Sequence, residues 1–508
     1  MKLFSLIAFF ILIIACINFM NLSTVRSSSR MKEVGIKKVL GSARKNLIFQ
    51  FLAESMLLTI ISLVIALGLA WILLSPFNTL TGEHINLDFS PPLFLALIGI
   101  TLFTGLISGS YPALYLSGFK PIALFRGKGK SSFAELAGRQ GLVVFQFALT
   151  VILIISVLVV YRQMKFIQST NLGYNKDHLI RFASEGTIQH TEYTFIDELK
   201  KVPGVVNASY TFNAMVGRNF GNYGIDWPGK STDESVYFEG FGVGYDFIEI
   251  MDMKMAAGRS FSRNYGLNST RIIVNQAAVR AMNLKHPVGQ TIKLFGQPRQ
   301  IIGVVRDFHF ESLHVPVKPV YMTLDPPGNP WDKIMVRIKA GQEKGTIAGI
   351  QKCYETYNPG FPFEFHFLDQ AYQKQYMTEM RVEILSRYFA ALAILISCLG
   401  LFGLATFTAQ RRQKEFGIRK IAGATPKDIA AMLSADFLKL VGLAILVAFP
   451  VSWWVMHQWL QTFAYRIHLG IQVFLISAVS VLFITLVTIS YQAIQAALVN
   501  PVKSLRSQ

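Results

Sequence analysis

Charge and cysteine are both scarce in this chain. Only 16% of its 508 residues are charged, against roughly 25% in soluble globular proteins, so an ordinary water-soluble fold is excluded. Three cysteines rule out a disulfide framework: Cys16 and Cys398 lie in apolar runs, and Cys353 stands alone in the long polar segment. Acidic residues are in deficit, 30 Asp and Glu against 49 Lys and Arg. The nine histidines are scattered and form no Cys/His cluster with the spacing of a zinc site. No Ser/His/Asp or Cys/His set announces a nucleophile, so the sequence predicts no catalytic, cofactor or metal site.

What the chain has in abundance is long apolar runs. Seven, at 3–22, 56–75, 93–112, 141–161, 388–407, 437–457 and 473–494, reach the ~20 residues that cross a bilayer as a helix. The first resembles a signal peptide, but it is too long for one and lacks a small-x-small cleavage site. The short loops fix orientation, because Lys and Arg stay on the cytoplasmic side. Loops 23–46, 118–140, 408–428 and the tail 499–508 hold seven, five, six and two basic residues. The opposing loops 76–92 and 458–472 hold none and one. The N-terminus and the polar segment 164–382 are therefore expected outside and the C-terminus inside. The net charge of +19 is largely topogenic, with anionic lipid rather than nucleic acid as its partner.

One segment occurs twice, 382 residues apart. Residues 30–41, Arg-Met-Lys-Glu-Val-Gly-Ile-Lys-Lys-Val-Leu-Gly, match residues 412–423, Arg-Gln-Lys-Glu-Phe-Gly-Ile-Arg-Lys-Ile-Ala-Gly. The match runs back through Thr24/Thr406, Leu22/Leu404 and Cys16/Cys398, and forward to Glu54/Asp436. Each copy joins two spans on the basic side. Positive-inside placement accounts for its Lys and Arg, but not for Glu and Gly at fixed positions. Lys32, Glu33, Gly35, Ile36, Lys38 and Gly41, with Lys414, Glu415, Gly417, Ile418, Lys420 and Gly423, are therefore expected to dock a cytoplasmic partner. Glu54 and Asp436 stand at the membrane boundary, where a carboxylate is costly unless paired, and the connectors supply the bases. The tails match as well, 120–126 against 500–506.

These repeats divide the chain into a first membrane module (1–130, three spans), a span (141–163), an outer domain (164–382) and a second module (383–508, three spans). The first copy lacks the span and outer domain that precede the second, so about 260 residues are expected upstream or from a partner. The expected fold is thus a polytopic α-helical membrane protein with about seven spans and one α+β domain. In that domain helices are expected at 193–201, 275–282 and 347–356, and strands at 236–243, 271–274, 291–295, 300–308, 319–323 and 333–339. From Asp369 a helical pattern runs into the fifth span without Pro or Gly before Gly400, and predicts a stalk, with two helices bent near the membrane surface as the alternative.

Two motifs imitate chemistry. Residues 224–231, Gly-Ile-Asp-Trp-Pro-Gly-Lys-Ser, satisfy the P-loop pattern but lack its apolar strand before and helix after. Asp307, His309 and Glu311 would share one face of a strand, yet nothing elsewhere completes a metal set. Gly105 and Gly109 fit small-xxx-small packing.

The connector pattern Lys-Glu-x-Gly-Ile-(Lys/Arg)-Lys-x-x-Gly, between a span and two more, resembles the permease subunit of ABC transporters of the MacB/FtsX type. Gly258-Arg-Ser-Phe-Ser, Ile273-Val-Asn-Gln-Ala-Ala and Ile302-Gly-Val-Val-Arg-Asp-Phe-His resemble the periplasmic core domain of that family. The resemblance implies a bacterial inner-membrane protein driven by a separate cytoplasmic ABC ATPase, present in two copies. A periplasmic adaptor or outer-membrane component is a further implied partner. It implies motion of the outer domain for efflux or extraction, with spans that often carry no substrate. Such permeases normally have eight spans and two outer domains, which this chain does not match. A membrane-anchored sensor or scaffold is the alternative reading, although a sensor needs only one connector.

Overall fold

The computed structural model describes residues 2–82, 84–118, 133–212, 215–217, 221–231, 233–265 and 270–498. The matching tails, 120–126 and 500–506, lie outside them. Four long helices open the chain: α1 (Lys2–Val39), α2 (Arg44–Thr81), α3 (Pro91–Gly118) and α4 (Phe133–Ser169). Five short helices follow among strands: α5 (Glu192–Leu199), α6 (Phe247–Ile250), α7 (Gln276–Ala281), α8 (Glu343–Tyr357) and α9 (Leu368–Gln375). The chain ends in α10 (Met377–Arg411), α11 (Gln413–Ile421), α12 (Pro426–Leu460) and α13 (Ile471–Leu498). Among the described residues six stretches are long and apolar enough to cross a membrane: Arg44–Thr79, Pro91–Ser110, Gln140–Ser169, Met377–Gln410, Pro426–Leu460 and Ile471–Gln495. The first expected span is represented by a shorter apolar stretch, Ser5–Asn21, within α1.

Contacts divide the chain into a helical unit (Met1–Gln163, Arg381–Trp459, His468–Gln508) and an α+β unit (Met164–Met380, Leu460–Ile467). In the helical unit α4 is central, with 61% of its most apolar window buried, whereas none of α2's is. Ile14, Leu149 and Ala393 join α1, α4 and α10 in one apolar cluster. Beside it the Thr150 and Ser397 hydroxyls lie 2.8 Å apart, and Asn18 Nδ2 donates to the Ile396 carbonyl at 3.3 Å. Asn18 and Gly400 are repeat-equivalent positions. The missing side chain of Gly400 makes room for the Asn18 carboxamide, since a Cβ there would lie 2.5 Å from Asn18 Oδ1. Gly105 and Gly109 likewise let α3 approach α2, where added Cβ atoms would meet Met56 Sδ at 2.2 Å and Ser55 Oγ at 2.8 Å.

The α+β unit is built on one mixed sheet. Its strands are β1 (Leu179–Ala183), β2 (Val205–Thr211), β3 (Gly221–Asn222), β4 (Ile225–Asp226), β5 (Phe238–Val243), β6 (Met255–Gly258), β7 (Arg271–Asn275), β8 (Thr291–Leu294), β9 (Gln297–Val305), β10 (Val320–Leu324), β11 (Lys333–Ile338) and β12 (Phe365–Phe367). The order is β12-β1-β11-β2-β5-β10-β7-β9-β8-β4, with β3 on β5 and β6 on β9. Pairs β5–β10 and β7–β9 are parallel, the rest antiparallel. Two cores underlie it. Alternate residues of β1 and β11 (Ile180, Phe182, Ile334, Val336) pack with Phe195 and Leu199 of α5 and Ile350 and Tyr354 of α8. Ile272, Val274, Ile301 and Val304 pack with Ala278 of α7 and Trp227. A single residue pair, Thr211 with Val243, joins β2 to β5 between the two halves.

The expected uninterrupted helix from Asp369 into the membrane is not formed. It breaks at Tyr376 (φ −111°, ψ 12°) between α9 and α10. The reason is tertiary: Tyr376, 3% exposed, accepts a hydrogen bond from the Leu313 N–H at 2.8 Å, and a buried phenol needs such a partner.

Candidate functional site

The two connectors take different backbones. The first continues α1 without interruption, whereas the second is a separate helix, α11, set off from α10 by Arg412 (φ −96°, ψ 10°). Their ends are nevertheless the same. Gly41 (φ 90°) and Gly423 (φ 95°) are left-handed. Gly41 N–H donates to Lys38 O and Ser42 N–H to Lys37 O; Gly423 N–H donates to Lys420 O and Ala424 N–H to Arg419 O. This is the Schellman arrangement, in which glycine avoids the steric penalty of a left-handed residue. The recurring terminal glycine thus has a local cause that needs no partner.

The recurring glutamates also have partners at home. Glu33 pairs with Lys37 at 2.9 Å, and Glu415 pairs with Arg419 at 3.0 Å and Arg412 at 3.5 Å. Glu–Lys and Glu–Arg pairs spaced i,i+4 support exposed helices by a few tenths of a kcal/mol. Lys38 Nζ donates to the Ser117 carbonyl at 2.6 Å, at the C-terminal turn of α3, where a cation meets the negative end of the helix dipole. Lys32 and Lys414 lie in α1 and α11, and their side chains are outside the described residues. Lys420 is half-buried near the end of α11.

Burial repeats in register. Val34 and Phe416 are 2% and 3% exposed, Leu47 and Ile429 2% and 1%, Phe51 and Leu433 7% and 0%. Val34, Leu47, Phe51 and Ala113 form one cluster that seats the first connector on α2 and α3. Gly35 and Gly417, next in line, are buried as well. The opposite face is open and apolar. Ile36 and Ile418 are 61% and 60% exposed, followed one turn on by Val39 and Ile421 at 69% and 67%. Packing, capping and ion pairing account for the buried Val and Phe, the terminal Gly and the Glu. They do not account for two large apolar side chains left uncovered by the chain at the same place twice. The sequence singled out the isoleucine of this ridge and missed Val39 and Ile421, although i,i+3 spacing on a helix is the available signal.

Asp436 Oδ2 receives Arg412 Nη1 at 2.8 Å, so the boundary carboxylate in the second copy is paired with its connector. Glu54 accepts from Gln50 Nε2 at 3.3 Å, and Gln50 Oε1 accepts from Lys37 at 3.2 Å. The start of α12 is fixed by a capping box: Thr425 N–H and hydroxyl both donate to Asp428 Oδ2, and Asp428 N–H donates to Thr425 Oγ1. The corresponding Ala43 has no side-chain cap.

The two chemical look-alikes are structural. Ile225–Asp226 is a short strand paired with β8. Lys230 folds back, donating to Ile225 O at 2.7 Å and lying 4.7 Å above the Trp227 ring. No helix follows in the described part of 231–237, so the phosphate cradle is absent there. Asp307, His309 and Glu311 lie beyond the end of β9 rather than in a strand, and each has its own partner. Asp307 binds Ala277 N at 2.7 Å and Arg280 at 2.5 Å. Glu311 binds Lys318 at 2.8 Å. His309 meets the Tyr465 ring edge-on at 4.6 Å, and burial holds its pKa below the usual value. Among the described residues no group of three or more His, Cys, Asp or Glu is placed to hold a metal ion.

The loop 460–467 is the largest departure from the sequence reading, which assigned it to the second membrane module. It belongs to the α+β unit. Ala464 N–H donates to His314 O and Tyr465 N–H to Leu313 O, while the Tyr465 hydroxyl accepts from Val317 N–H at 3.3 Å. Phe463, 1% exposed, stacks on the His314 ring at 3.8 Å. His314 Nδ1 is 2.9 Å from Thr462 O and Nε2 is 3.3 Å from Glu379. This clasp joins the turn between α12 and α13 to the segment 313–317 and, through Leu313, to the break at Tyr376.

Long apolar helices carrying one mixed-sheet domain define a multi-pass helical membrane protein with an extracytoplasmic α+β domain. The FtsX-like permease C-terminal family matches residues 5–121 and 387–501, and the MacB-like periplasmic core domain family matches 142–349. The chain belongs to the MacB/FtsX type of ABC-transporter permease. It is similar to the macrolide export ATP-binding/permease protein MacB of Campylobacter fetus subsp. fetus, 35% identical over 108 residues, 21% of this chain and 17% of that protein. With the MacB of Chromobacterium violaceum it shares 26% identity over 217 residues, 41% of this chain and 34% of that protein. The periplasmic region of MacB from Actinobacillus actinomycetemcomitans aligns with a TM-score of 0.29 at 14% identity, over 41% of this chain and 96% of that one. The matches span about a third or less of these curated relatives' length.

Proposed function

We propose that this permease couples ATP hydrolysis by a separate cytoplasmic ABC ATPase to movement of its α+β domain, driving efflux or extraction of a substrate across the envelope. In this reading it is an inner-membrane protein with the C-terminus in the cytoplasm and residues 164–382 in the periplasm. The chain contributes no catalytic group; two ATPase copies dock on the two connectors, and a periplasmic adaptor or outer-membrane component completes the assembly. The observation that carries the reading is the exposed apolar ridge, Ile36/Val39 and Ile418/Ile421, presented twice on helices of opposite local construction. Covering such side chains on docking is favourable by about 25 cal/mol per Å² of apolar surface removed from water.

Transmission follows from chain continuity. The α+β unit is continuous with α4, α10, α12 and α13 at 163/164, 380/381, 459/460 and 467/468. A displacement of α11 passes through α10, one unbroken helix of 35 residues, to the Tyr376 break. The clasp ties α12 and α13 to the same place.

The test is the double variant Ile36→Asp/Ile418→Asp in the full chain, purified in mild detergent from its native membranes. The wild type should carry a vanadate-sensitive ATPase as a separate polypeptide, and the variant should lose it while inserting normally. Undiminished ATPase association in the variant would remove the docking assignment.

A further inference from the structure

The face of the β12-β1-β11 ribbon turned away from α5 and α8 carries a second feature. Strand alternation sends Ile180, Phe182, Ile334 and Val336 into the helix-covered core and leaves Arg181 and Lys333 on the other side. In register Arg181 stands opposite His366 on β12, and Lys333 opposite Ala183 on β1. These three side chains, with Trp331, Phe212 and Pro362, line a cavity of about 830 Å³, within the ~300–1,000 Å³ range of small-molecule sites.

The charge arrangement there is not one that folding favours. Lys333 stands diagonal to Arg181 across the β1–β11 pair, since Arg181 faces Met335 and Lys333 faces Ala183, and like charges within such reach on one face are unfavourable unless something neutralises them. Among the described residues no carboxylate is within ion-pair distance of Arg181 or Lys333, and Arg181 makes no side-chain hydrogen bond. Burial alone holds the Arg181 pKa below its usual value, with no carboxylate offsetting it. Two carboxylates do line the cavity. Glu185 is engaged by the Tyr354 hydroxyl at 2.5 Å, and Glu364 is exposed. The lining therefore includes a half-buried guanidinium with no carboxylate in ion-pair contact. Beside it Trp331, 69% exposed, holds a large apolar surface in water. A planar guanidinium fork is matched by a carboxylate or similar two-oxygen anion, and the Trp and Pro walls by an apolar body.

We infer that this cavity is a binding site for a small organic acid with an apolar body, its carboxylate on Arg181 and Lys333 and its body against Trp331 and Pro362. The site lies in the α+β unit and involves none of the connector residues.

The probe is anthracene-9-carboxylate, titrated into the full chain in phosphatidylcholine nanodiscs and read by energy transfer from Trp331, with Trp331→Phe as the blank. Saturable binding is expected, with anthracene-9-methanol and the cationic 9-(aminomethyl)anthracene at least tenfold weaker. Arg181→Gln should weaken the acid about tenfold or more, as for loss of a charge-assisted hydrogen bond, and Arg181→Lys less. Lys285→Gln, exposed on the other half of the unit, should leave it unchanged. Octanoate should compete, and phosphatidylglycerol supplied in the nanodisc should not. Equal affinity for the neutral or cationic probe, or an Arg181→Gln variant that binds like the wild type, would overturn the site. Competition by phosphatidylglycerol would overturn its assignment to a soluble acid. Unchanged Cys353 reactivity in each variant guards against misfolding, since Cys353 packs on the core beneath β1.

Discussion

Replacing Glu192 by Gln should stabilise the half of the α+β unit built on α5 and α8 at neutral and alkaline pH, and give no gain in acid. Glu192, at the first turn of α5, is 1% exposed, and Asp332 nearby is 2% exposed. The Ser184 hydroxyl donates to Glu192 Oε1, and Gly328 N–H donates to Oε2 at 3.3 Å. Burial first, and the Asp332 charge as well, push the Glu192 carboxyl up to about 7 from 4.5. Burial pushes Asp332 up to about 6 from 3.8. A carboxyl raised by folding holds its proton more tightly in the folded than in the unfolded chain. Its favourable contribution is complete below the unfolded value and is lost as pH rises through the folded one, here between 4.5 and about 7. At about 1.4 kcal/mol per pKa unit the charged form costs roughly 3 kcal/mol. Gln removes that cost but forfeits the Gly328 hydrogen bond, worth about 1 kcal/mol. The net expectation above pH 7.5 is about 2 kcal/mol, or roughly thirtyfold less frequent local opening. Cys353, on α8 and packed against the same core, reports that opening through its reactivity with a thiol probe in a Cys16→Ala/Cys398→Ala background. Variant and parent are compared at each pH, which cancels the thiol's own titration. A variant-to-parent ratio that is the same at pH 5 and pH 8, or faster labelling of the variant at pH 8, would refute the reasoning.

Gly41→Ala and Gly423→Ala should each destabilise the connector end by about 1–2 kcal/mol, because the penalty is that of a left-handed alanine; no atom lies within 4 Å of the added Cβ. Asn should be tolerated better than Ala at both, and a fall in protease resistance at 41–43 and 423–425 is the readout. Equal stability of the Ala variants would show that these ends are not capped as described. Phe463→Ala should cost about 3–5 kcal/mol locally, as for a buried Phe, and should raise hydrogen exchange at 313–317 and 461–466 while that of β1 and β11 stays unchanged. Unchanged exchange in the loop would dissolve the clasp.

The membrane helices, the duplicated connector and the α+β class of the intervening domain were legible in the amino-acid order. The reason is that long apolar runs, a repeat in register and strands such as β7, β10 and β11 are local signals that tertiary packing does not override. Family membership was legible for the same reason, being carried by short stretches of fixed wording. The strands β1 and β2 were missed because Leu-Ile-Arg-Phe-Ala and Val-Val-Asn-Ala-Ser-Tyr-Thr are short, and they acquire their pattern only from the sheet that flanks them on both sides. The helix expected through Tyr376 has helical propensity throughout; a hydrogen bond from Leu313, 63 residues earlier, decides against it. Sequence also attributed the repeated Glu and terminal Gly to a partner, and intrahelical ion pairs and a left-handed cap give them local roles besides. What it left for a partner to explain is narrower, the exposed faces of Ile36/Val39 and Ile418/Ile421. Only the three-dimensional arrangement placed the loop 460–467 on the α+β unit and gathered Arg181, Lys333 and His366 from three strands around one cavity. Contacts between residues far apart in the chain leave no periodicity in either partner, and so leave nothing for the sequence alone to display.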